Sequence, residues 1–393
     1  MAVAPTVNYR TYWAIEAIGT EAEGLGGTVT DVDFMQGVQS VGISTNFNLE
    51  QIFQLGQLEI YQDLEDIPDI EVTINRVIEG HTTLAYARCI NPAGWKAAGA
   101  GAVFGTSGET ETTNVLTEVQ NNKVDIGFVV NNDEDGAVGD NDGLVFAWMS
   151  GMYVSSASFN FPSEGYFTED ITLVGNHQVW KDAGKMADVP VSKPPADEDL
   201  DVGEVRRRES LYFEDLPAPL GLKMMDNVTN GLSAAAGDIG DLAIANLTVS
   251  VDFGREPMYR LGQRLPYHRY VTFPVEVTSE IEAYVTDVDD MVINAYPEKN
   301  NVQKAAGDDG SSTHQLKFHI QDNAVTDPKT AGPAGAGADQ AITRHTFDLG
   351  KNNYLQSVTW NGLSTDGTNA TITYSYRNFN KLDIASKKDG DAA

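Results

Sequence analysis

Residues 41–48, Val-Gly-Ile-Ser-Thr-Asn-Phe-Asn, alternate apolar with polar side chains, and residues 247–253 do the same. A period of two marks a strand with one face on a core and the other toward water. Residues 71–77 alternate again, setting Val72, Ile74 and Arg76 on one face and Glu71, Thr73 and Asn75 on the other. Residues 369–376 read as a strand by their β-branched and aromatic content. Helical periodicity is sparse, with short candidates at residues 116–121 and 209–213. The expected fold is mainly β: two tandem barrel or sandwich domains with few short helices and long loops. A polar strand face ordinarily meets water outside an antiparallel sheet. The sharper reading is that this face lines a channel built by several chains while the apolar face packs on the core.

The chain also resembles itself. Residues 44–68 match residues 250–274 without a gap: Ser44, Phe47, Glu50, Leu55, Gly56, Gln57, Tyr61 and Pro68 recur as Ser250, Phe253, Glu256, Leu261, Gly262, Gln263, Tyr267 and Pro274. Unrelated sequences would share about one or two identities over such a length. A one-residue deletion then sets residues 71–73 on residues 276–278. Downstream, residues 153–172 align with residues 354–373, pairing Ser156 with Ser357, Asn160 with Asn361 and Ser163 with Ser364. Two blocks recurring in the same order imply duplication of a whole domain rather than of one hairpin, and two domain-sized copies are not a solenoid of short repeats. The organisation expected is an N-terminal segment at 1–30, a first β domain at 31–188, a connector at 189–236, a second domain at 237–387 and a tail at 388–393. The connector holds Pro190, Pro194, Pro195 and a run of charges, so it reads as an exposed arm whose portion at 211–225 docks on a neighbour; its deletion should leave the domains folded and weaken assembly. Residues 93–113 and 321–340 read as equivalent loops of the two domains.

The 393 residues suffice for two sizeable cores, and a 41% hydrophobic, 21% charged composition is that of a folded protein. The formal charge of -31 repels phosphate backbones, which disfavours tight nucleic-acid binding; it suits equally a soluble surface or a wall past which DNA slides. The one cysteine, Cys89, excludes an intrachain disulfide and a multi-thiolate metal site within one chain. Residues 1–19 lack a basic leader and an apolar h-region, so no secretory signal is expected, and the longest apolar stretch, at about 143–154, is too short for a membrane helix.

Catalytic chemistry finds little support. His81, His177, His268, His314, His319 and His345 are scattered without zinc-site spacing, residues 105–108 lack the frame of a nucleophile elbow, and there is no P-loop. The abundant carboxylates make any chosen acid and base pair arbitrary. No catalytic, cofactor or metal residue is therefore assigned. Residues 131–142 place oxygen side chains at positions 1, 3, 5 and 12 of an EF-hand-like loop with Gly136 at position 6, but strand-like flanks leave a solvated acidic hairpin beside calcium binding as its account. The candidate repeat or assembly residues are Phe47, Glu50, Leu55, Tyr61, Phe253, Glu256, Leu261 and Tyr267; core packing and subunit contact would both produce their recurrence.

The runs Val38-Gln39-Ser40-Val41-Gly42-Ile43, Leu55-Gly56-Gln57 and Pro68-Asp69-Ile70-Glu71-Val72-Thr73 resemble tail-tube and related virion structural proteins of tailed phages. So do Leu355-Gln356-Ser357-Val358-Thr359-Trp360 and Ala370-Thr371-Ile372-Thr373-Tyr374-Ser375-Tyr376; the resemblance is of style and block order and covers about half the chain. It implies a non-enzymatic virion tail protein, assembled in the host cytoplasm, whose domains close into a ring of six, with rings stacked into a tube around a continuous inner sheet that conducts DNA at ejection. The duplicated chain departs from the one-domain pattern, so the resemblance implies a homotrimer with pseudo-sixfold symmetry, a homohexamer remaining open. Other tail proteins and DNA passing without tight binding are the implied partners, with no cofactor and no membrane. The alternative is a virion decoration or surface-binding β-protein, for which exposed aromatic clusters in loops would be expected. A hydrolase on a β scaffold is a third class, without a constellation to carry it.

Overall fold

The computed structural model describes residues 9–17, 32–35, 37–56, 60–79, 84–90, 123–132, 145–182, 205–217, 220, 243–285, 314–321, 343–362 and 369–386. The helix expected at 116–121, the loop at 93–113, positions 133–142 of the acidic loop and nearly all of the loop at 321–340 lie outside these. The first half runs β1 (Tyr9–Ala17), β2 (Val32–Met35), β3 (Val38–Asn46), β4 (Leu49–Phe53), β5 (Ile60–Glu65), β6 (Asp69–Val77), helix α1 (Ala85–Ile90), β7 (Val124–Asn132), β8 (Val145–Pro162), β9 (Thr168–Gly175) and β10 (Gln178–Asp182). The second half runs β11 (Leu211–Asp215), β12 (Ile244–Asp252), β13 (Glu256–Met258), β14 (His268–Tyr270), β15 (Glu276–Tyr284), β16 (Lys317–Gln321), β17 (Thr343–Asp348), β18 (Tyr354–Asn361), β19 (Thr371–Phe379) and β20 (Asp383–Ser386). The fold is mainly β, as the alternation predicts, and its ladders are antiparallel.

The 12-stranded principal sheet contains two successive runs, β3-β6-β9-β8 and β12-β15-β19-β18, joined where the second half of β8 pairs with β12. The runs agree in register, strand by strand. Ile43 faces Val72 as Val249 faces Ser279; Ile74 faces Ile171 as Ile281 faces Tyr374; Ala157 faces Ile171 as Val358 faces Tyr374. Even the irregularities coincide: Val38/Ser40 with Ile244/Asn246, and Val154/Ser156 with Leu355/Ser357. The hairpins agree too, Glu50 facing Leu64 as Glu256 faces Tyr270.

These ladders revise two details of the self-alignment. The counterpart of Glu71 is Thr278, not Glu276, and that of Ile171 is Tyr374, not Ile372. Each error is a slip of two residues, which leaves every side chain on its original face and is therefore invisible to an alternation pattern.

The two-core expectation is also revised, because one contiguous hydrophobic cluster contains residues of both halves. Phe159 and Phe347 meet edge to face with centroids 5.1 Å apart, Phe161 and Phe318 at 5.3 Å, and Tyr86 stacks on Phe253 at 6.4 Å. Antiparallel pairing across β8 and β12 draws both apolar faces onto the same side, where neither needs a core of its own.

Part of the supposed arm belongs to this body. Residues 208–210 form a single 3-10 turn and β11 follows as a strand, where a short helix at 209–213 was expected; β11 pairs with β16 in a second sheet, β11-β16-β17-β20. Phe213, Leu216 and Leu220 are buried in the shared cluster, so deleting residues 189–232 would uncover the core instead of removing a free arm. Likewise β1, within the N-terminal segment, pairs with β7 and β2.

Arg76 does face inward. It and Glu169 are 1% and 0% exposed, with Arg76 Nε 3.7 Å from Glu169 Oε2. Glu169 also accepts the backbone N–H groups of Ala85 at 3.1 Å and Tyr86 at 2.8 Å, fastening the start of α1 to β9. Burial pushes the Glu169 carboxyl upward, opposed by the Arg76 charge and these two N–H donors. In the second run the equivalent pair is Ala283 opposite Ile372, apolar on both sides.

Candidate assembly surface

Among the described residues, three kinds of surface of the principal sheet and its hairpins are uncovered: two projecting hairpins, one polar face and two unpaired edges. The hairpins are β4–β5 and β13–β14, and they carry most of the candidate residues read from the repeat. Leu55 and Leu261 stand at the turns with 103% relative exposure each, followed by Gly56 and Gly262 at φ +88° and +87°. That backbone conformation is open to glycine and strained for other residues, which explains the recurring Leu-Gly pair. Glu50 is exposed on β4; Glu256, exposed on β13, accepts the Tyr270 hydroxyl at 2.7 Å. Tyr267 is exposed beneath the Arg260 guanidinium, 4.8 Å from its ring centre. Tyr61 belongs to β5. Arg264 Nη2 donates to the Glu65 carbonyl at 2.8 Å, so the second hairpin lies beside the base of the first.

Asp69 joins the first run to the second hairpin. Its carboxylate accepts from Asn48 at 3.0 Å, Asn176 at 3.1 Å and Arg269 at 2.5 Å, the last reaching across from β14. Burial alone would raise the Asp69 carboxyl, but the Asn48 and Arg269 hydrogen bonds, the Arg269 charge and the Asn176 hydrogen bond hold it below its ordinary value of 3.8. A depressed folded value means that the stabilising contribution is complete above the unfolded value and is lost as pH falls through the folded one. We therefore expect acid melting curves below about pH 4 to be shallower for Asp69→Asn than for the native chain. Parallel curves in differential scanning fluorimetry would count against this role.

The outward face of the principal sheet is polar across both runs. Ser158 faces Asp170 on β9 and Ser250 on β12, and Ser250 faces Thr278, which faces Arg377. Side-chain bonds cross the strands from Asn75 to Asp170 at 2.6 Å, between Ser250 and Thr278 at 2.6 Å and from Thr371 to Glu282 at 2.6 Å. Its charge is acidic: Asp69, Glu71, Asp170, Asp252, Glu276, Glu280 and Glu282 stand against Arg377 among the described residues of these eight strands.

The open edges separate residues that the repeat makes equivalent. Phe47 is 67% exposed, whereas its counterpart Phe253 is 0% exposed, so Phe253 is a core residue and not available to another chain. The pattern extends along the strand: Val41 and Ile43 are half-buried while Leu247 and Val249 are buried. Beside β3 this leaves an open groove of ≈ 700 Å³ lined by Val41, Ile43, Phe47, Ile70, Phe128 and Trp180 among others. The repeat identified both phenylalanines but not this difference, since identical letters carry no record of which edge is paired.

No protein-family model and no curated protein sequence matches the chain. Among solved structures, the chain is similar to the anti-feeding prophage cap, a tube-terminating cap, at 15% identity and TM-score 0.29, covering 47% of this chain and 97% of that one. It is similar to a chain of the tail of an empty GTA particle at 13% identity and TM-score 0.24, over 43% of this chain and 95% of that one. It is also similar to a chain of the PVC sheath-tube complex, an extracellular contractile injection system in its extended state, at 13% identity and TM-score 0.25, over 45% and 94% of the respective chains.

Proposed function

We propose that this chain is a structural protein of the virion tail whose copies close into rings, and that the rings stack into the tube through which DNA is ejected. The observation that carries this reading is the principal sheet: among the described residues, two four-stranded runs of matching register lie in series, unpaired at both ends and polar on one face. A surface that pairs one way at its start and the complementary way at its end makes a head-to-tail contact, which closes into a ring when the rotation per copy divides a full turn. Three chains supply six runs, and closure removes the open edges that would otherwise aggregate. With the polar face inward, Ser, Thr, Asn and carboxylate side chains meet the passing DNA, and the dearth of Lys and Arg leaves its phosphates unheld. The exposed hairpins then lie at the rim of the ring, placed to meet the next ring or other tail proteins.

Exposed Tyr259 and Tyr267 on the second hairpin favour a second reading, a surface-binding virion module that forms no tube. Negative-stain electron microscopy of the concentrated chain, with rotational averaging, separates the two. Hollow rings or tubes of threefold or pseudo-sixfold symmetry are expected; a monodisperse monomer at every concentration would leave the surface-binding module.

A further inference from the structure

One joint between two runs is made within the chain. β8 and β12 pair with Ala157 opposite Val251, Ser158 opposite Ser250, Phe159 opposite Val249 and Asn160 opposite Thr248. The counterpart of β8 is β18, and that of β12 is β3, by common register and common irregularities. Among the described residues, β18 pairs only with β19 and β3 only with β6, so each retains one open edge.

We infer that a second copy of this chain fills both: β18 of one chain pairs antiparallel with β3 of the next, in the register of the β8–β12 joint. Carrying each residue to its counterpart sets Val358 opposite Thr45, Thr359 opposite Ser44, Trp360 opposite Ile43 and Asn361 opposite Gly42. This contact rests on the ring reading and specifies which strands and atoms make it.

Three observations support the register. The faces agree: Val358 and Trp360 lie opposite the buried Tyr374 and Ile372, and Ile43 lies opposite the buried Val72, so all three point to the apolar side. The exposures are those of a joint with its partner removed. Trp360 is half-buried where its counterpart Phe159 is fully buried, and Ile43 is half-buried where Val249 is fully buried. In the proposed joint the Trp360 indole enters the groove beside β3, taking the place that Phe159 has against Val249. Finally, the outward positions that meet are uncharged, Gly42, Ser44 and Asn46 against Ser357, Thr359 and Asn361. In a chain of formal charge -31, the joint therefore sets no like charges opposite one another.

Directly opposed residues bring their Cβ atoms to about 4.5–5.5 Å, close enough for a disulfide to form with small adjustment. The test is the full chain carrying Ser44→Cys with Thr359→Cys, oxidised under the conditions of the microscopy and run on a non-reducing denaturing gel. Both sites are on the surface of the sheet, and the native Cys89 is buried. The control is Ser44→Cys with Ser375→Cys, since Ser375 lies one strand further in, about 5 Å beyond the reach of the pair. The expected result is a covalent ladder ending at the ring stoichiometry for the first pair and monomer for the control. Rings by microscopy with a monomeric gel for the first pair, or equal ladders for both pairs, would overturn the proposed register while the ring reading stands. A native chain that forms no rings, together with no cross-link, overturns both.

Discussion

Phe253→Ala lowers the stability of the isolated chain by about 3–5 kcal/mol, whereas Phe47→Ala, at the equivalent position of the other run, changes it by about 0.5 kcal/mol or less. The Phe253 ring is fully buried, stacked on Tyr86 at 6.4 Å and covered by the Arg255 guanidinium 5.3 Å from its centre, so truncation leaves a cavity among groups with little freedom to collapse. Phe47 occupies the same place in the repeat but is mostly in water. Urea unfolding of the two variants beside the native chain measures both values. Comparable losses for the two would mean that Phe47 already has a partner within its own chain.

Arg76→Met is the second large effect, a loss of about 3–5 kcal/mol. It strands Glu169 in the core, where burial already pushes the carboxyl upward and where the loss of the Arg76 charge pushes it further. The backbone N–H groups of Ala85 and Tyr86 continue to hold Glu169, so α1 stays attached while the charge goes uncompensated. Adding Glu169→Gln should recover part of the loss, because it leaves the ladder position uncharged while its amide oxygen still accepts a backbone N–H group at the start of α1. The other run offers the precedent, with Ala283 and Ile372 facing each other at the equivalent ladder position. A double variant no more stable than Arg76→Met alone in the same unfolding assay would show that the pair has a role beyond mutual neutralisation.

Much of this architecture was legible from period and repetition. Alternation in residues 41–48, 71–77 and 247–253 identified strands, because a half-buried strand must write its two environments on alternate positions. The ungapped match of residues 44–68 with 250–274 identified segments that share their ladder register, and its recurring Leu55-Gly56 and Leu261-Gly262 pairs fall at turns where a left-handed backbone constrains the residue type. Less legible were alignments that crossed loops, where residues 71–73 and 171–172 were each displaced by two. That slip conserves the alternation and changes only the ladder partners.

The sequence by itself determined a mainly β chain, its internal likeness and its acidic, polar strand faces, since these are local properties of period, identity and charge. Only the tertiary structure decided that β8 and β12 unite the halves in one sheet and one core. It likewise drew β11 into the body, buried Arg76 with Glu169, and left Phe47 in water while enclosing Phe253. Each of these depends on contacts between residues far apart along the chain, and a residue's letter and its neighbours' letters are the same whether its strand ends a sheet or continues it.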